Sequence, residues 1–337
     1  MRSHYYVPVA LAAGLLIFWG LFWRSGPQPL VVYCAHDSIY SESILREFER
    51  QSGIPVAIRF DTEATKSLGL VELLVKEKDA PRCDLFWNNE LLGTLRLADC
   101  GLLEPYKGSG YARIPGGFKD PDGRWTGFAA RLRVCIFNTD AVEKPDGMQS
   151  TPGDLSRWAI AKPLYGTTLT HYSVLWQKWG PEKTKAWHQQ WRVGGVRELN
   201  GNAAVKDAVA AGVCVAGFTD TDDFFEARDE GKPVAMRPLR LEGGETICIP
   251  NTVGLIHGSR RMADARKLAD FLLSANTELA LARSRSRQIP LGTLPPETLL
   301  PQEVLELKHW AESAIPLNRL GTAHAECLAW LKSEYLR

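Results

Sequence analysis

Short apolar runs and amphipathic stretches alternate along the first hundred residues. Residues 30–35 (LVVYCA) form an unbroken apolar run of strand length. Residues 41–51 follow with Ile44, Leu45 and Phe48 at helical spacing and Gly53 as a stop signal. Residues 55–60 read as a second strand, and 67–78 as a helix that buries Leu70, Val71 and Leu74. A third strand, 84–87, precedes a helix over 91–99 that ends at Gly101. Strands alternating with helices of this length predict parallel βαβ units, hence an α/β fold.

The pattern changes at the turn Asp120-Pro121-Asp122-Gly123. Two strands close together, 125–128 and 133–138, open a middle region. Thr151-Pro152 caps a short helix, 160–164 reads as a strand, and 166–171 as a polar loop opening a helix. A helix over 202–211 leads to a strand over 213–218, which runs into GFTDTDDFFEAR (217–228). There an apolar strand gives way to acids and hydroxyls and then to a helix. Further on, 246–249 and 253–256 flank Pro250-Asn251-Thr252, and 262–273 is an amphipathic helix. Two α/β units joined by crossings near 128–138 and 247–253 predict two lobes. Lobe 1 comprises 30–130 and 251–337; lobe 2 comprises 131–250. Ligands bind between such lobes, and strand-end loops with helix N-termini form the cleft walls.

Composition narrows the functions. The chain has 337 residues, 45% hydrophobic and 23% charged, with a net charge of +1. That is enough apolar material for two cores, and no field draws the protein to nucleic acid. Seven cysteines without a CxxC pair exclude common zinc and dithiol spacings. Most sit on predicted strands as small buried hydrophobes, and one disulfide between neighbouring strands stays open. Residues 7–23 (VPVALAAGLLIFWGLFW) form an apolar run after Arg2 and His4, read as an export signal or uncleaved membrane anchor. Residues 1–29 are thus signal or anchor plus spacer, and the rest is expected to work in the periplasm or otherwise outside the cytoplasm.

Four stretches in order carry a family resemblance: LVVYCAHDSIYSESILREFERQSGIPV, GFKDPDGRWTGFAARLRVCIFNTD, AAGVCVAGFTDTDDFFEARDEGKPV and IPNTVGLIHGSRRMADARKLADFLLS. Over about 30–289 the chain resembles the extracellular solute-binding proteins of ABC importers, in the ferric-iron-binding branch. The resemblance implies a two-lobe type II periplasmic-binding-protein fold with a hinge of crossing strands. It also implies a monomer that captures a metal ion or other small solute for an ABC permease in the inner membrane, without a catalytic cofactor. Ferric-binding members use a first-loop histidine, a second-loop acid and two adjacent tyrosines. The matching positions are His36, Asp61 or Glu63, and Asp222 with Asp223.

The candidate chemistry follows from these loops. Asp222 and Asp223 offer hard oxygen ligands, and with His36 and Asp61 or Glu63 they suit a metal cation. Asn88, Asn89 and Thr168 add hydrogen-bonding groups at strand ends and a helix start. The same acids also suit a helix's first turn with no ligand at all. A polyamine or other organic cation, held by Asp222, Asp223, Glu90 and an aromatic face such as Trp87, is an alternative. A metal-dependent hydrolase is a third reading, although GxSxG, HExxH and Walker patterns are missing.

Overall fold

A computed structural model describes residues 28–61, 68–141 and 154–335. The apolar run 7–23, Glu63 and the Thr151-Pro152 cap lie outside the described residues. In chain order, β1 (Leu30–Cys34), α1 (Ser38–Ser52), β2 (Val56–Phe60), α2 (Leu68–Lys76), β3 (Leu85–Asn88) and α3 (Leu92–Asp99) come first. Then come β4 (Leu103–Glu104), α4 (Ser109–Arg113), β5 (Thr126–Asn138), β6 (Trp158–Ala161), α5 (Gly166–Trp179) and α6 (Pro181–Val193). β7 (Arg197–Leu199), α7 (Asn202–Ala210), β8 (Ala216–Asp220), α8 (Thr221–Asp229) and β9 (Val234–Pro238) follow. β10 (Cys248–Ile256), α9 (Met262–Leu272), α10 (Ala275–Arg283), α11 (Gln302–Ala311) and α12 (Gly321–Tyr335) complete the described chain.

β1 runs parallel to β2 and to β3, as the alternating pattern predicts. Helix α1 buries Ile44, Leu45 and Phe48 against Leu30, Val32 and Leu85. Each such side chain contributes about 1.5–3 kcal/mol when fully buried. The helix stops where Gly53 takes φ +69°, its N–H reaching the Glu49 carbonyl. The strand order is β2-β1-β3-β10-β5-β8-β6-β7, with β4 on β10 and β9 on β5.

β5 carries the connection between the two halves. Its first part, Thr126 to Leu132, lies antiparallel to β10, and its second part, Arg133 to Asn138, lies between β8 and β9. The expected two short strands are therefore one strand of 13 residues. Arg131 and Arg133 break the apolar run in the sequence, yet both are buried here with acidic partners. The break survives as a bulge: Ala129 takes φ +40°, and the register with β10 slips between Pro250 and Asn251. Likewise β10 runs through Pro250. Opposite it, the Ala130 N–H and carbonyl pair with Ile289 at 2.8 and 2.7 Å, so no ladder bond needs the missing proline N–H.

The last two helices fall in the 251–337 segment expected to belong to lobe 1. Leu307 of α11 shares a core with Val134, Ile136, Val205 and Phe225. α12 lies on α5, where Trp330 stacks on Trp176 at 5.3 Å and Trp176 donates to Glu326 at 3.2 Å. The apolar positions Cys327 and Leu331 of α12 share a core with Tyr172 and Val174 of α5. All seven cysteines are free thiols, and Cys100 is the exposed one. Among the described residues no helix is long and apolar enough to cross a membrane.

Candidate functional site

Between the two halves lies a cavity of about 400 Å³. One side is formed by the loops after β1 and β3, through Asp37, Asn89 and Glu90. The other is formed by the starts of α5, α7 and α8, through Thr167, Thr168, Asn202, Asp222 and Asp223, with Asp220 and Arg131 beneath. The strand-to-helix stretch 217–228 thus contributes a cleft wall. β8 ends at Asp220 and α8 begins at Thr221, two residues later than the apolar run suggests.

Asp220 occupies the N-cap position of α8 but makes no side-chain cap bond. Its carboxylate instead accepts from Arg133 at 2.8 Å, Thr167 at 2.5 Å and Asn202 at 3.0 Å. Asp222 and Asp223 stand in the first turn, where the helix dipole favours negative charge. Oxygens of Asp220, Asp222 and Asp223 lie within 4.8 Å of one another. Burial, foremost, and the neighbouring carboxylates push the Asp222 and Asp223 carboxyls above the usual range. Arg131 opposes this for Asp222, and the Thr219 hydroxyl, 2.6 Å away, opposes it for Asp223. A cation between these oxygens would remove the repulsion.

The remaining sequence candidates divide. Asn89 and Thr168 line the cavity, Thr168 donating to Asn202 at 3.1 Å. His36 does not line it. Its ring lies 5.2 Å from Trp87, and its Nε2 meets the Gln288 amide at 2.7 Å. The first-loop residue on the cavity is its neighbour Asp37. Asn88 is also buried behind the wall, donating to Glu90 at 3.1 Å and Thr94 at 3.3 Å. Asp61 lies off the cavity and accepts the Leu70 N–H at 3.4 Å. Glu63 is outside the described residues. Glu90 is buried and caps α3 through the Leu92 and Gly93 N–H groups, while Trp87 is fully buried.

Sequence reasoning missed Arg131, Asp37 and Asn202. The signal for Asn202 was present, since Asn200-Gly201-Asn202 is a turn directly before a helix. Arg131 falls between the predicted strands 125–128 and 133–138, and only the fold shows that it lines the cleft.

The two-lobe sheet with its crossing strands and interlobe cavity is the type II periplasmic-binding-protein fold, the architecture of solute-binding proteins. The chain is similar to iron-bound HitA from Pseudomonas aeruginosa, with TM-score 0.74 and 19% identity over 91% of this chain and 99% of that one. It is equally similar to AfuA from Actinobacillus pleuropneumoniae, solved with fructose-6-phosphate, with TM-score 0.74 and 18% identity over 92% and 99%. In sequence it is 26% identical to the Fe(3+)-binding periplasmic protein of Serratia marcescens, over 62% of each chain. It is 23% identical to iron uptake protein A1 of a Synechocystis strain, over 88% of this chain and 84% of that one. No family model matches the chain.

Proposed function

We propose that the protein is an extracytoplasmic solute-binding protein that captures a metal cation, of the ferric-iron type, for an ABC permease. The observation that carries this is the trio Asp220, Asp222 and Asp223, with oxygens within 4.8 Å on the cavity wall. Carboxylate oxygens are hard donors suited to iron(III) and other hard cations. Asp222 and Asp223 stand where the resembling family carries tyrosines, so this helix start offers carboxylates, and the phenol on the cavity wall is Tyr165. The relatives named for iron binding and uptake support the same reading. Residues 7–23 would supply the export signal or anchor, and lobe closure would turn on β5 and β10, with 30–130 as one lobe and 131–250 as the other.

The cavity volume favours a second reading. About 400 Å³ falls within the 300–1,000 Å³ range of organic-ligand pockets. Its acids come from both halves, Asp37 and Glu90 facing Asp222 and Asp223. An extended polyamine would meet carboxylates at each end.

One experiment separates these. Residues 28–337 are purified and assayed for bound metal, then titrated calorimetrically with iron(III) citrate, gallium(III) citrate, spermidine and citrate alone. The metal salts should bind beyond the citrate control, and Asp222→Asn/Asp223→Asn should weaken that binding at least tenfold. Spermidine binding without metal binding would replace the first reading by the second. No binding of either would overturn both.

A further inference from the structure

Arg131 is the one basic side chain on the described cavity wall, and it is 4% exposed. It sits two residues beyond the Ala129 bulge on the strand that joins the halves. Its Nη2 donates to the Asn89 carbonyl on one side of the cleft. Its Nε lies 3.6 Å from Asp220 and 3.8 Å from Asp222 on the other. Burial lowers its pKa, but the carboxylates of Asp222, Asp220, Asp37 and Asp223 outweigh burial and hold it above its ordinary value.

The contacts with Asp220 and Asp222 are longer than hydrogen bonds. Asp220 does not depend on them, because Arg133 already meets it at 2.8 Å. The Arg131 guanidinium is therefore a charge shared between Asp220 and Asp222 in an acidic cleft, bridging the halves. Two positive charges a few ångströms apart in a partly desolvated site repel strongly. A bound cation and this guanidinium cannot both use Asp222 freely.

We propose that Arg131 is a tethered cation that occupies the charge position of the solute, competes with it for Asp222, and bridges the two halves while the cleft lacks cargo. This deepens the proposed function and rests on its cation reading. Binding then exchanges one positive charge for another, so Arg131 sets how strongly a cation must interact in order to be retained.

The test uses gallium(III) citrate, a diamagnetic probe, against residues 28–337, with citrate alone as control. Arg131→Met keeps an unbranched apolar stem and removes the charge. It should bind gallium about tenfold or more tightly than the unsubstituted chain, and gallium should raise its Tm by more. Arg131→Lys restores a charge and should return affinity toward the unsubstituted value. A merely structural role predicts that Arg131→Met binds equally or more weakly, and that result overturns the proposal.

Should Arg131→Met not fold, the Nε–H resonance of Arg131 in the unsubstituted chain decides. Displacement moves that signal as gallium saturates the protein, whereas an unmoved signal overturns the proposal. Gallium binding with weaker Arg131→Met binding defeats this proposal alone. If neither chain binds gallium, the proposed function and the competition both fall. If only Arg131→Met binds, the competition stands.

Discussion

Asp222 is held in a position that its own charge opposes. Burial first, then Asp223, Asp220 and Asp37, raise its pKa above the ordinary 3.8. A carboxyl whose folded pKa is raised costs stability at high pH, where it must ionise, and the cost fades as pH falls through the raised value. Each tenfold change in proton affinity corresponds to about 1.4 kcal/mol. Asp222→Asn is therefore expected to stabilise the cargo-free protein by at least ~1 kcal/mol at pH 8, and by less at pH 5, while weakening cation binding. Urea denaturation at the two pH values, paired with gallium titration, checks this. Stability unchanged at pH 8 would show that the group is not strained by its charge. The sequence made Asp222 legible because acids after an apolar strand are conspicuous. Arg131 was not, because with Arg133 it reads as an interruption between two strands rather than as a cleft residue. His36 was conspicuous for its loop position, and in the structure its buried ring meets Trp87 and Gln288.

Helix α12 holds to α5 and α6 through aromatic and histidine contacts. His188 accepts from or donates to the Tyr172 hydroxyl at 2.9 Å and packs edge-on to Trp330 at 5.3 Å. Burial, then Arg192, pushes the His188 pKa down to about 4. Burial and the charges of Arg96 and Lys332 do the same for His324, also to about 4. A histidine kept neutral in the fold stabilises it fully above its ordinary 6.5, and this stability is lost as pH falls from there towards 4. For His188 the lowered proton affinity corresponds to roughly 3 kcal/mol. Lowering the pH from 7 to 4.5 should therefore loosen α12 before the βαβ sheet. Amide exchange in 321–335 should accelerate, and the Trp176–Trp330 stack should change its fluorescence. In His188→Phe the pH dependence should shrink. Protection of α12 that is the same at both pH values would contradict this. The helices of the first half were legible because their apolar stripes face one sheet. The neighbour of α12 was not legible, because a stripe shows that a helix is buried, not which surface buries it.

The whole molecule is two sheet halves strung on β5 and β10, and this was legible in outline. The alternating βαβ pattern gave the first half, and the turn at residues 120–123 marked where the pattern changes. What the sequence could not show was that each crossing is continuous, because Arg131 and Pro250 both look like interruptions. A cation at 100 times its dissociation constant should add about 2.7 kcal/mol to the stability of the whole. The cysteines set another property at this scale. Of the seven, Cys34, Cys83, Cys214, Cys248 and Cys327 are buried, Cys135 is half-buried and Cys100 is exposed. Burial pushes the Cys34, Cys135 and Cys248 thiols up to about 12, which leaves almost no reactive thiolate. A thiol reagent should label one cysteine promptly in the native protein and all seven in denaturant. Rapid native labelling of several would show that the halves open far more than this structure does. In an oxidising compartment, inertness of this kind exists only after folding. Before it, seven thiols can form three disulfides in on the order of a hundred ways. Maturation is then a race between collapse and oxidation: refolding in reductant should return binding-competent protein, while refolding in air should yield scrambled, covalently trapped chains.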